Sequence, residues 1–233
     1  RDDARDAQLT LLAAARAARL PVIHAHLRFS PGHAPLGRAQ FGLRAAIQAH
    51  DVWTGDGAEP GEGFEPLPGE HVLSGRTGAS AFCGTELDRY LRNNGIERLI
   101  VAGFAAHVCV LATLIQAHDL GYTAVVPHES TAAFTPEQHR LFIEQIAPHF
   151  GWIKPLAATL DHLERRAAAV AAVHGFLDAL RAGDTRALAT LLDPELRVEG
   201  VMDGAWCRWD RPTYLERVRR LRRSMPLAAH RKL

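Results

Sequence analysis

Cys109 follows the apolar run Arg98-Leu99-Ile100-Val101-Ala102-Gly103 by a short linker and stands at the start of a helical pattern. A helix N-terminus offers unpaired backbone N–H groups and the positive end of the helix dipole, which stabilise a thiolate and can hold a developing oxyanion. Position alone therefore makes Cys109 a candidate nucleophile. It leaves open the plainer reading of a small buried hydrophobe, which is what most free cysteines are. The other thiols, Cys83 and Cys207, lie far from it and from each other in sequence. An odd number of cysteines at wide, irregular spacing argues against a disulfide framework or a zinc site. Reduced thiols in a cytoplasmic protein are the expectation.

The thirteen histidines include His24 and His26, two apart on a β-like run and so on one face of it, with His33 nearby. They form no metal-ligand motif, and neither metal nor cofactor is expected. A net charge of +1 supplies no field that would recruit nucleic acid or a membrane. No apolar stretch is long enough to cross a bilayer. The Arg-rich run from Arg217 to Arg223 interleaves with Leu215, Val218 and Leu221 and reads as an amphipathic helix with a solvated face.

The elements that would position Cys109 alternate. An Ala-rich helix is expected over 4–18, broken by Pro21, and a short strand over 21–27. A long Gly-, Pro- and acid-rich loop spans 51–69, and another short strand starts at Val72-Leu73. A helix from Thr85, its expected N-cap, runs to Asn94; a buried parallel strand covers 98–103, and a helix 108–120. A strand over 122–127 and a helix over 136–146 complete the series. This alternation predicts a three-layer α/β/α domain on a parallel sheet, with ligands beyond the carboxyl ends of the strands. A further helix over 167–181, an Asp184-capped helix containing Leu188 to Leu192, and a strand over 197–201 follow.

Three segments around Cys109 resemble the isochorismatase-like cysteine hydrolases. They are Leu99-Ile100-Val101-Ala102-Gly103 leading to Cys109-Val110 and Thr113, the upstream Ser80-Ala81-Phe82-Cys83-Gly84-Thr85-Glu86-Leu87, and the downstream Ala117-His118-Asp119-Leu120-Gly121-Tyr122. The resemblance covers about residues 4–155. It implies a Cys nucleophile acting on a small amide or related carbonyl or vinyl-ether compound, supported by an Asp base and a Lys. Carried over, Cys109 is the nucleophile, the backbone N–H groups of Val108 and Cys109 form the oxyanion hole, and the lysine position falls on Arg76. It further implies a substrate pocket drawn from His24, His26, Phe82, Phe104, His107 and Thr113, and a homo-oligomer. The chain departs from the family at two places. Arg76 keeps the charge but cannot shuttle a proton, and the strand that ends in the family Asp has no counterpart. The expectation is thus a sheet lacking its first strand and a chain that is part of something longer. The alternative is a catalytically impaired pseudo-enzyme or binding module that retains the fold.

Beyond residue 165, Val173-His174-Gly175-Phe176-Leu177-Asp178-Ala179-Leu180 and Leu192-Asp193-Pro194-Glu195-Leu196 resemble the start of a nuclear-transport-factor-2-like (SnoaL- or lumazine-binding-like) domain. That resemblance implies a truncated α+β cone, with Trp206 and Trp209 in its core or an interface. The expected division is 1–158 and 165–233.

Overall fold

The computed structural model describes residues 2–202 and 205–224. The chain divides into two compact units, Arg1–Glu164 and Arg165–Leu233.

The first unit is built from parallel strands joined by helices. Helix α1 (Asp2–Ala17) leads to β1 (Ile23–His24), which pairs in parallel with β2 (His71–Val72). Between them lies α2 (Gly42–Ala49), a helix the sequence reading passes over. Helix α3 (Leu87–Asn93) then leads to β3 (Arg98–Ile100), and α4 (Leu111–Asp119) leads to β5 (Thr123–Pro127). After α5 (Pro136–Leu141) comes β7 (Trp152–Lys154), giving a three-stranded parallel sheet in the order β3-β5-β7. A small parallel pair, β4 (Gly103–Phe104) with β6 (Thr131–Ala132), sits beyond the ends of β3 and β5. The layers are α/β/α, as the alternation predicts.

The parallel sheet is interrupted. β1–β2 and β3-β5-β7 share no hydrogen-bonded ladder, although Ile23 and Ala25 pack in the same apolar cluster as Leu99. The consequence shows at β3. The expected buried strand is half wet, with Ile100 37% exposed, because no described strand pairs with its outer side. In β5, which has a neighbour on each side, Ala124 and Val126 are buried. A second cluster packs Ala106, Val110 and Leu114 of the Cys109 helix against Ala124, Val126 and Phe142.

One ionic knot ties α1 to this sheet. Arg16 donates from Nε and Nη2 to the two carboxylate oxygens of Glu70 at 2.7 and 2.9 Å, and His24 Nε2 meets Glu70 at 2.8 Å. The Leu67 N–H donates to the same carboxylate. The Arg16 hydrogen bonds above all, then those from Leu67 and His24, pull the Glu70 pKa down to about 2.

The second unit starts within α6 (Leu156–Ala182), which runs unbroken from 156 where the sequence suggested a start at 167. Asp184 caps α7 (Thr185–Leu191) by accepting from the N–H groups of Arg186 and Ala187. An antiparallel hairpin of β8 (Arg197–Met202) and β9 (Ala205–Asp210) precedes α8 (Arg211–Ser224). Leu188, Ala179 and Val218 centre its core, with Leu215 packed against them. The Leu221 side chain and residues 225–233 lie outside what is described. No cone is formed among the described residues, because the two strands of the hairpin have only each other to pair with. Trp206 is 68% exposed rather than a core residue, and Trp209 lies beneath the Arg217 guanidinium at 4.7 Å.

Glu70 has its pKa lowered on folding, so its contribution to stability is complete above the unfolded value near 4.5 and is lost as pH falls towards 2. Glu70→Gln is expected to lower stability at pH 7 by about 1–2 kcal/mol, discounted for solvent screening. It should also flatten the decline in urea midpoint between pH 5 and pH 2. An unchanged acid limb in the variant would show that the knot contributes nothing.

Candidate active site

The turn from Gly75 to Gly84 positions Arg76. Its ends touch backbone to backbone: a Cβ on Gly84 would stand 2.7 Å from the Gly75 carbonyl oxygen, and both residues have positive φ, so only glycine fits. The Thr77 N–H donates to the Cys83 carbonyl and closes the turn. Arg76 is thereby folded inward and is 8% exposed. Its Nε donates to the carbonyls of Gly78 and Ser80, Nη1 to that of Ala25, and Nη2 to that of Ala79. Among the described residues no carboxylate pairs with it. Burial lowers its pKa, and the thiols of Cys109, foremost, and Cys83 oppose that shift.

Cys109 arrives from the other side. A π turn, Ala106–Val110, opens into α4. Thr113 locks the two segments together: its hydroxyl donates to the Cys109 carbonyl at 2.7 Å and accepts from the Ala81 N–H at 2.9 Å. Arg76 and Cys109, far apart in sequence, are thus held together by a buried side-chain bridge and a Gly-framed turn.

Several expected roles move. The N–H groups of Val108 and Cys109 both donate to the Ala105 carbonyl, at 3.1 and 3.0 Å, because the turn opens on a carbonyl shared by three donors. In this conformation neither is open for an oxyanion. The N–H groups of Ala106 and His107, at the first turn, have no acceptor among the described residues. Thr113 is a buried bridge rather than a pocket wall. Phe82 is in the core, stacked on Tyr122 at 5.8 Å, because its backbone is fixed by the Ser80 hydroxyl and the turn faces the interior. His24 is held by Glu70. Thr85 is not the N-cap residue of α3. Glu86 takes that position, and the Thr85 hydroxyl accepts from the Leu87 N–H one step outside.

His26 does line a cavity, of about 490 Å³, together with Arg28, Glu59 and Arg76. Burial and the neighbouring Arg28 lower the His26 pKa. On the Cys109 side, Phe104 and Phe134 meet edge to face at 5.4 Å, and His107 stands edge-on to Phe134 at 4.8 Å. Both phenylalanines are about half exposed, and His107 Nδ1 is buried without a hydrogen-bond partner. Phe134 is the residue that sequence reasoning missed. The β4–β6 pairing that brings it to Phe104 is long-range, and its only local signal is an aromatic residue just past a strand. Among the described residues no group of three or more His, Cys, Asp or Glu is placed to hold a metal ion. Nor is any helix long and apolar enough to cross a membrane.

Residues 2–158 match the model of the isochorismatase domain. The chain belongs to the isochorismatase family. It is 36% identical over 99 residues to a ureidoacrylate amidohydrolase of Pantoea ananatis, an alignment covering 42% of this chain and 39% of that protein. It is 28% identical over 196 residues to an N-carbamoylsarcosine amidase of an Arthrobacter species, covering 82% of this chain and 67% of that one. Of the first relative, therefore, it spans about two-fifths of the length. Among solved structures, an isochorismatase family protein of Desulfovibrio vulgaris superposes with a TM-score of 0.58 at 31% identity, over 67% of this chain and 82% of the other. Another from Burkholderia thailandensis gives 0.61 at 24% identity, over 70% and 84%, a likeness of fold.

Thr113→Val keeps the shape and removes both hydrogen bonds, leaving the Ala81 N–H buried and unpaired. A loss of about 1–3 kcal/mol is expected from urea unfolding. A stability equal to that of the parent protein would mean that the bridge does not hold the two segments.

Proposed function

We propose that this chain is a cysteine-dependent hydrolase of small amides, with Cys109 as the nucleophile and Arg76 as the charge that supports its thiolate. The observation carrying this reading is the buried guanidinium that has no carboxylate partner among the described residues and whose charge the Cys109 thiol favours. A buried cation without a counter-ion costs several kcal/mol. A thiolate at Cys109 is the anion the site can supply. Membership of the family and relatives named as amidohydrolase and amidase support the same reaction class. The thiolate adds to the amide carbonyl, the amine departs with a proton taken from water, and the hydroxide so formed cleaves the resulting thioester, releasing the acid and restoring the thiolate. The first-turn N–H groups of Ala106 and His107 supply donors beneath the Cys109 side chain, which leans back towards them on the helix. Phe104, Phe134 and His107 form the rim on which the substrate rests.

A second reading, a binding module that holds an amide without turning it over, is favoured by one observation. No described carboxylate bonds to Cys109 or Arg76, and Arg76 cannot move a proton. For residues 165–233 the nuclear-transport-factor-2-like reading is a proposal supported by sequence and by the order helix, helix, hairpin. Cytoplasmic residence, supported by the free thiols of Cys83, Cys109 and Cys207, and self-association are also proposed.

The experiment is thiol reactivity in the folded chain. Cys109, although only partly accessible, is expected to react with iodoacetamide faster than the exposed Cys83 and than Cys207. Arg76→Met should slow Cys109 by about tenfold, the equivalent of ~1.4 kcal/mol of lost charge stabilisation, whereas Arg76→Lys should retain or raise both reactivity and amide turnover. Equal rates at all three cysteines would sink the nucleophile. A reactive Cys109 with no turnover of any amide would favour the binding module.

A further inference from the structure

The family match ends at residue 158, so the β8–β9 hairpin belongs to a part of the chain that the isochorismatase domain does not account for. Its strands sort their side chains onto two faces. One is turned towards α8: Val198 and Trp209 are half-buried there, and Trp209 lies beneath the Arg217 guanidinium. On the other face Arg197, Glu199, Val201, Trp206, Arg208 and Asp210 are all exposed. Val201 and Trp206 are 67% and 68% exposed, a pair of large apolar side chains left together in water.

Register makes this outer face complementary to itself. Directly opposite across the hairpin stand Arg197 and Asp210, Glu199 and Arg208, and Val201 and Trp206. Each level is thus either a pair of opposite charges or an apolar pair, and Arg208 Nε meets Glu199 at 2.5 Å. A two-fold axis running along the hairpin between its strands would exchange β8 with β9 at every level. In a second copy laid face to face by that axis, Arg197 meets Asp210, Glu199 meets Arg208, and Val201 meets Trp206. Residues 165–233 carry fourteen Lys and Arg against eight Asp and Glu. The described charges of this face nevertheless cancel, so it has no field to select a polyanion.

We propose that the outer face of the β8–β9 hairpin is an isologous docking surface for a second copy of this chain. The apolar level supplies the attraction, since two Trp206–Val201 contacts leave water together. The charged levels set the register: an exposed ion pair contributes little, but a misplaced one brings like charges together. The face is about 20 Å long, at ~3.4 Å per residue, and only two strands wide. It therefore buries less than a standard interface, and a weak dimer is expected, with Kd of about 1–100 μM. This gives a surface to the self-association proposed above and does not depend on the hydrolase reading.

Packed sheets cross at about 30°, a rotation that displaces the ends of a hairpin and leaves its middle in place. Glu199 and Arg208 form that middle level. Sedimentation equilibrium of the full chain from about 5 to about 500 μM spans the expected Kd. Glu199→Arg alone and Arg208→Glu alone each set like charges face to face and should raise Kd at least about tenfold. Mixed in equal amounts, the two variants should recover a heterodimer of near-parental affinity, because each offers the charge that the other lacks. Damage to either chain's own fold would give no such recovery. Trp206→Ser should weaken the dimer at least about tenfold. A parent that stays monomeric throughout would overturn the face and self-association together. Parental masses in all variants would move self-association to another surface, and loss without recovery on mixing would overturn the two-fold pairing.

Discussion

A guanidinium taken out of water has to be satisfied in every direction it points, and in this chain that requirement falls on Arg76. Four carbonyls surround it, from Ala25 at the end of the first strand and from Gly78, Ala79 and Ser80 in its own turn. Moving the Ala25 or Ala79 carbonyl would orphan a charged donor, and Nε depends on Gly78 and Ser80 together. The turn from Gly75 to Gly84 must therefore be tight, which explains glycine at both places where its strands of backbone touch. The end of β1 must lie beside that turn.

What ties Cys109 to that turn is a second, neutral constraint. The Thr113 hydroxyl is both donor and acceptor, and it spends one function on the Cys109 carbonyl and the other on Ala81. A hydroxyl buried between two backbone groups fixes the relative height of the helix and the turn more tightly than apolar contact could. The apolar clusters on either side then hold α4 from both ends, with Leu114 in one and Ala117 in the other. Position of the thiol is in this sense a product of polar satisfaction, and the cores maintain it.

The sheet tells the opposite story. Where strands have two neighbours, as β5 has, their side chains are buried and the alternation is regular. Where a neighbour is lacking, at β1 and β3, the same apolar sequence is left partly in water. Ile100 and Ile23 are as apolar as Val126, but burial is decided by what lies alongside. The segments that stay close to one another across this interruption do so through side chains, Ile23 and Ala25 with Leu99, and through the Arg16–Glu70–His24 knot.

The alternation of strands and helices apart from α2, β6 and β9, the α/β class, Cys109 at a helix start, Asp184 as a cap and the family pattern around Ser80 to Thr113 were legible in the amino-acid sequence, because each depends on residues close together in the chain. The pairing of Arg76 with the thiol followed only from resemblance, since nothing local couples positions 33 residues apart. Tertiary structure alone decided that Phe82 and Thr113 face inward, that His24 serves Glu70, that the N–H groups of Val108 and Cys109 are taken by Ala105, and that Phe134 joins Phe104. The reason is common to all of them. A residue's type states what it can bond to, but only the folded chain settles which of several possible partners comes within reach.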